Sequence, residues 1–372
     1  MKLREFQAKE IFRRFGLVIP EGTVVESAEG AGQAAAAIGG SVVIKPQLGV
    51  KGRGKVGGIL FADSPVEAVE AARRLLGAEI KGEVVERLLV EARVDIAEEL
   101  YAAVAIDHTA KLPVLVASRC GGVDIEDVAR NRPEDVLKRP VSMLDGPSAN
   151  DLAAVAEVLG QDGAEALASL YRVFAGHDAE IVEVNPLVRT TGGELMAVDA
   201  VLNIDEDAVY RHPELDGYRT AMPAEDPIVE QARARSWTYI PLDGDIAILS
   251  SGAGLTMAIL DLMNRAGGAA ANFLDTAQID ADGIFDAFVL LSKARPAKAL
   301  LVNIFAGLNR CDHLAEGITR ALREAPPGIP VVVRMIGNRD QEGFRILRAA
   351  GVEPIAGIEQ AIHEVVRVAG GA

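Results

Sequence analysis

The sequence predicts an α/β protein in two parts, an α+β region followed by a doubly wound parallel sheet, and three observations predict it. In the first half, helical stripes, alternating strands and glycine-rich turns succeed one another up to a β-hairpin near residue 190. Between about Asn203 and Tyr239 the text turns polar and is broken by His212-Pro213, Met222-Pro223 and Asp226-Pro227, which marks a connection. Beyond it, short apolar strands alternate with helices, the pattern of a parallel sheet with its ligand loops at the carboxyl ends of the strands. At 372 residues the chain is long enough for two full cores.

In order, Leu3, Phe6, Ile11, Phe12 and Phe15 lie roughly on one stripe of a helix over 2–15, with Gly16 as its C-cap before Pro20. A buried strand over 39–46 ends in Lys45-Pro46 and is followed by Gln47 to Gly58, rich in glycine and carrying Lys51, Arg53 and Lys55. Glycines let backbone N–H groups approach phosphate oxygens, and the cations concentrate positive charge in an acidic chain, so a nucleoside triphosphate would fit there. A basic surface hairpin would read the same way. Walker A spacing is absent, because Gly54-Lys55 is followed by Val56. Asp63 or Ser64 caps a helix to about Leu76, strands follow over 84–92, 100–107 and 112–118, and helices over 148–159 and 163–176 lead to the hairpin.

Apolar and polar residues alternate along the hairpin arms 180–188 and 196–199, and Thr190-Thr191-Gly192-Gly193 supplies the turn. Asn185 and Asp199 each lie seven residues from Gly192, so a turn centred there sets them side by side, and Glu183 shares their face by the period of two. A carboxamide and two carboxylates form a hard oxygen cluster suited to Mg²⁺. A solvated strand face would alternate in the same manner.

In the second half, strands at 245–250, 300–305 and 331–335 are followed by helices near 255–265, 314–324 and 341–350. Gly252-Ala253-Gly254 begins like a dinucleotide fingerprint, but Met257 stands where the third glycine belongs, which argues against a nicotinamide dehydrogenase. The net charge of −16 argues against nucleic acid or an anionic membrane surface as a partner. The N-terminus lacks the apolar core of a signal peptide and no apolar run is long enough to span a bilayer, so a cytoplasmic protein is expected, or an organelle interior after processing. Cys120 and Cys311 lack metal-ligand spacing and are expected to be reduced structural thiols.

Phe6-Gln7-Ala8-Lys9, the Lys45 strand with Gly52-Arg53-Gly54-Lys55, Asp95-Ile96-Ala97-Glu98-Glu99-Leu100-Tyr101 and Glu183-Val184-Asn185-Pro186-Leu187-Val188 occur in this order, and together they resemble the β subunit of succinyl-CoA synthetase. The resemblance runs nearly end to end. It implies an ATP-grasp domain over residues 1–225, a flavodoxin-like CoA-ligase domain over 240–372, and an ADP-forming acid–CoA ligase that uses Mg²⁺, ATP or GTP, and CoA. On the same ground, Lys45 and the backbone of Gly52, Arg53 and Gly54 would hold the phosphates, Glu91, Val94 and Glu99 would stand at the nucleotide, and Asn185 and Asp199 would ligate Mg²⁺. Glu183 would face a phosphohistidine, and Ser251, Gly307, Leu308 and Asn309 would contribute to the site of a small carboxylic acid.

The five histidines, His108, His177, His212, His313 and His363, sit in helical or turn-like polar surroundings and none lies in a glycine-rich loop. The phosphorylated histidine is therefore expected on a separate α subunit, in a heterodimer or heterotetramer, as the resemblance implies. Where the family usually has asparagine, a triple glycine and a second glycine, this chain has Ser251, Ala277-Gln278-Ile279 and Ala306, and its loop at 276–280 is one residue shorter. Those departures leave open succinate, another acid such as malate, citrate or a sulfonated acid, or a non-catalytic nucleotide-binding subunit.

Overall fold

The computed structural model describes residues 1–49, 57–219, 226–294 and 296–370. The expected phosphate-loop residues Gly52, Arg53 and Gly54, with Lys51 and Lys55, lie outside the described residues. The chain divides into two compact units, Met1–Pro223 and Ala224–Ala372.

In the first unit the N-terminal stripe forms α1 (Glu5–Arg14), which buries Ala8, Ile11 and Phe12 and ends where Gly16 turns the chain at φ +89. Then come β1 (Gly22–Val25), α2 (Ala28–Ile38), β2 (Val42–Pro46), β3 (Leu60–Ala62), α3 (Pro65–Leu75), the short hairpin β4 (Glu79–Ile80) and β5 (Glu83–Val84), and β6 (Leu88–Ala92). An antiparallel sheet in the order β1-β6-β2-β3 packs Val42, Ile44, Leu88 and Val90 against α2 and α3. The sequence alternation gave no sign of α2, which is alanine-rich. Its Gly32 permits close approach to α3, since a Cβ there would meet Val69 Cγ2 at 2.6 Å. The strand expected over 84–92 is in fact two pieces: Val84 pairs with Glu79 in the β4–β5 hairpin, which Val85 extends through bonds with Ala78 O and Gly77 N, while β6 begins at Leu88 and joins β1 and β2.

A second sheet comprises β7 (Ile96–Asp107), β8 (Leu112–Ser118), β9 (Val136–Pro140), β10 (Ala179–Thr190), β11 (Leu195–Ala197) and β12 (Val201–Ile204). Its order is β11-β10-β7-β8-β9, with β12 also on β10, and every pair is antiparallel. The helix α4 (Ile125–Asn131) links β8 towards β9, and α5 (Ala149–Leu159) and α6 (Gln161–Gly176) precede β10. Val155, Leu167, Leu170 and Val173 of α5 and α6 meet Ala102, Val104, Leu115, Val182 and Val184 of the sheet.

The second unit runs from α8 (Pro227–Arg233), after the short α7 (Asp216–Arg219) of the first, through β13 (Thr238–Pro241), β14 (Ile246–Ser250), α9 (Ala253–Arg265), β15 (Asn272–Asp275) and α10 (Ala281–Lys293). It continues with β16 (Ala299–Ala306), α11 (Cys311–Glu324), β17 (Val331–Gly337), α12 (Asp340–Ala349) and α13 (Ile358–Ala369). The sheet order is β13-β15-β14-β16-β17, all parallel except β13, and the strands read as near-continuous apolar runs because both faces are covered. Leu249, Val302 and Val333 face a core shared with α10, α11 and α12, while Ile248, Leu301 and Val332 face α9 and α13. The stretch 203–239 was expected as a connection, yet Ile228, Ala232, Trp237 and Tyr239 near its end belong to this core. The winding direction reverses at β14, which lies between β15 and β16, and a doubly wound sheet opens its ligand crevice at such a switch point.

Candidate functional site

Leu187 of β10 stands opposite Ala197 on β11, and Glu183 opposite Val201 on β12. The same register therefore runs through the gap between the two ladders, and position 185 falls opposite 199. On the β7 side the register slips between Val184 and Leu187, so that Asn185 and Pro186 together oppose Tyr101, a bulge that releases Asn185 from the ladder. Its carboxamide reaches the loop after β8, accepting from Gly122 N at 2.8 Å and donating to Val123 O at 3.0 Å. That loop comes so close because residue 121 has no side chain: a Cβ there would lie 2.4 Å from Leu100 O and 2.6 Å from the carbonyl carbon of Glu99. Gly121 N also donates to Glu99 O at 2.9 Å, so Glu99 and Asn185 are gathered at one glycine turn.

Thr190 N donates to Glu194 O and Ala197 N turns away to Val18 O, so 190 with 194 and 188 with 196 are hydrogen-bonded pairs of the hairpin, whose ladder ends at Leu187 with Ala197. Pro186, just past that end, has no N–H to continue it. The Val198 carbonyl accepts from Lys9 Nζ at 2.8 Å and from Lys45 Nζ.

Both ammonium groups are buried in an ion cluster. Lys9 Nζ lies 2.7 Å from each Glu91 oxygen and 2.9 Å from Glu5 Oε1; Lys45 Nζ lies 2.9 Å from Glu5 Oε1 and 2.9 Å from Glu91 Oε2. Burial works to strip Lys45 of its proton, but the carboxylates of Glu5, Glu91 and Asp199 outweigh it and hold the ammonium above its ordinary value. Val94 lies half-buried in the connection from β6 to β7. Glu183 is buried in β10, and burial first, then the charges of Glu183 and Glu126, push the Tyr101 phenol above its ordinary range. Glu5, Lys9 and the Gly121-Gly122 turn were not singled out as site residues. The signal for the first two was present: an oppositely charged pair four residues apart, each member beside the apolar stripe of α1.

The oxygens of Asn185 and Asp199 are hard donors of the kind Mg²⁺ takes. Among the described residues no group of three or more His, Cys, Asp or Glu is arranged to hold a metal ion, and oxygens such as those of Asn185 and Asp199 suit an ion that keeps water and phosphate oxygens as ligands.

In the second unit a cavity of about 290 Å³ opens at the switch point, lined by Ser251 and Gly252 after β14, by Thr276 to Ile279 after β15, and by Gly307, Leu308 and Asn309 after β16. Asp275 Oδ1 accepts from Gly252 N at 2.7 Å and Ala277 N at 2.8 Å, and Asn309 Nδ2 donates to Ile279 O at 2.7 Å, so the three loops are tied together. Ala277 adopts φ +51, a conformation that favours the glycine expected there. The Ser251 Oγ is buried without a hydrogen-bond partner among the described residues. Below, Asn303 Nδ2 donates to Ser250 Oγ at 3.2 Å and Arg334 Nη1 to Asn303 Oδ1 at 3.3 Å, a buried polar floor that sequence reasoning missed because its members come from three strands.

Two of the five histidines have packing roles: the rings of His177 and His212 stack at 5.8 Å, and His212 is held between Asp178 and Glu214.

Residues 2–189 match the ATP-grasp domain family and residues 249–368 the CoA-ligase family. The class is thus a chain that joins an ATP-grasp unit to a CoA-ligase unit. The chain is 41% identical to the β subunit of the GDP-forming succinate–CoA ligase of Thermus thermophilus, with 100% of each chain covered. It is 40% identical to the β subunit of the ADP-forming enzyme of Rubrobacter xylanophilus over 95% of this chain and 94% of that one, and 38% identical to that of Ignicoccus hospitalis over 99% of each. It belongs to the succinate–CoA ligase β-subunit family. Among solved structures, ATP citrate lyase from Methanothrix soehngenii in complex with citrate and coenzyme A matches with a TM-score of 0.72 at 20% identity, covering 100% of this chain and 99% of that one, a likeness of fold.

Proposed function

We propose that this chain is the nucleotide-binding subunit of a succinate–CoA ligase, and that it works with an α subunit bearing the histidine that carries the phosphoryl group. What supports the reading is that Lys45 Nζ donates to Val198 O and feels the charge of Asp199, on the hairpin arm that runs antiparallel to the one carrying Asn185. Lys45, with the backbone of Gly52, Arg53 and Gly54, holds the phosphates of the triphosphate, and Val94 and Glu99 stand beside the nucleotide. Glu91, buried between two lysines, acts through Lys45. Asn185 and Asp199 hold Mg²⁺, which when bound neutralises charge on the phosphate oxygens. Phosphoryl transfer is mostly positioning and charge neutralisation, and these residue types supply both. Glu183 orients the partner's imidazole by accepting from its second nitrogen. Ser251, Gly307, Leu308 and Asn309 receive the acid, and the names of the relatives favour succinate and a purine triphosphate. A cytoplasmic location and an assembly with one or two copies of each subunit go with this reading.

The test is Mg²⁺-dependent phosphorylation of the co-purified α subunit from labelled ATP and GTP, with thioester formation from succinate and CoA measured alongside. Lys45→Ala and Asp199→Ala are each expected to slow phosphorylation by about 100-fold or more. Unchanged rates in both would remove the phosphate and metal assignments, and nucleotide binding without phosphorylation in the wild type would make the chain a regulatory subunit.

A further inference from the structure

Lys45 is fully occupied in this structure. An ammonium has three donors, and those of Lys45 go to Glu5 Oε1, Glu91 Oε2 and the Val198 carbonyl. To reach a phosphate oxygen, as the proposed function requires, Lys45 has to give up at least one of them. If Lys45 were the only cation present, its departure would leave two carboxylates in a site where their side chains are 1% and 3% exposed, and stranding a buried charge is costly.

Lys9 changes that balance. It touches the same three partners, Glu5, Glu91 and Val198 O, but from the more enclosed side: its side chain is 3% exposed against 12% for Lys45. It also makes the closer contact with Glu91, 2.7 Å to both oxygens. Two lysines and two glutamates neutralise each other, and Asp199 is a further negative charge that acts on Lys45.

We propose that Lys9 is a positioning residue for the phosphate-binding lysine: it is the resident counter-ion of Glu5 and Glu91, and it keeps the pair compensated when Lys45 turns to the nucleotide. The inner lysine stays, while the outer one is shared between its resting carboxylates and the ligand. This inference rests on the reading of Lys45 as a phosphate ligand. Without Lys9, both glutamates would hold Lys45 back and nucleotide affinity would fall although no group that touches the nucleotide had been removed. Without Glu5 the tether on Lys45 would loosen, and affinity would hold or rise.

The experiment is calorimetric titration of the full chain, co-purified with its α subunit, with ATP and Mg²⁺, and with a thermal melt of each variant. Lys9→Met is expected to raise the Kd for ATP about tenfold or more, Glu5→Gln to leave it unchanged or lower it about two- to threefold, and Lys9→Met/Glu5→Gln to fall between them. A merely structural role would make both single variants bind more weakly in step with their loss of melting temperature. A folded Lys9→Met that binds within about threefold of wild type, or a Glu5→Gln that weakens binding about tenfold, would overturn the proposal. Should Lys9→Met fail to fold, the Glu5→Gln titration decides alone. Lys45→Met separates the two readings: if it binds ATP normally, the phosphate assignment of Lys45 fails, whereas if it loses binding and Lys9→Met does not, only the role of Lys9 fails.

Discussion

At the scale of single residues, the first-unit site depends on atoms that are absent. Gly121 has no Cβ, so its backbone lies against Leu100 and Glu99, and Gly122 can then donate to Asn185. The atoms that a methyl group would strike are backbone and cannot swing aside. Gly121→Ala is therefore expected to cost about 2–3 kcal/mol in urea unfolding of the first unit and to weaken nucleotide binding. Gly192 in the hairpin turn is the control: a Cβ there meets only Thr190 Oγ1, at 3.6 Å, and Gly192→Ala should stay within about 0.5 kcal/mol of wild type. Equal stabilities for the two variants would sink this account of the glycine turn. The Val198 carbonyl, past the end of the hairpin ladder, is left to the two lysines.

At the scale of elements, the cavity of the second unit is bordered by loops that helices anchor. The first turn of α11 carries Asp312, which is buried; Arg310 Nε donates to it at 3.0 Å, His313 N at 3.1 Å and Arg339 Nη1, from the cap of α12, at 3.5 Å. The hydrogen bonds from Arg310 above all hold this carboxyl well below the usual carboxylate range. A depressed folded value stabilises at pH above the unfolded value, about 3.9, and that contribution is lost as the pH falls towards the folded value. Asp312→Asn should thus be less stable than wild type at neutral pH, and the gap should narrow in urea melts at about pH 3. A gap that is constant from neutral to acid would mean that the charge of Asp312 does not stabilise this junction. Elements with a clear period, such as β14, β16 and α11, were legible in the sequence. By contrast α2, β12 and β13 were not: α2 is built of alanine and glycine, and the other two are four-residue strands defined by their partners.

At the scale of the whole molecule, the two units each have their own sheets and cores, so each meets the physical requirement for folding by itself. Fragments 1–223 and 224–372 are expected to unfold cooperatively in urea when expressed separately, with their own near-ultraviolet dichroism. A fragment that shows a broad, non-cooperative transition would mean that its core is incomplete without the other. What the sequence determined by itself is the class of fold, the order of the motifs, the family, and the hairpin register that sets position 185 opposite 199, because periodicity, turn residues and motif spacing are local properties of the chain. Only the tertiary structure decided the burial of Glu91 between Lys9 and Lys45, the bulge that hands Asn185 to the Gly121-Gly122 turn, and the polar floor of Ser250, Asn303 and Arg334. The physical reason is the same in each case: a buried charge or polar group is satisfied by whatever the fold brings beside it, and those partners come from segments distant in sequence that no local pattern connects.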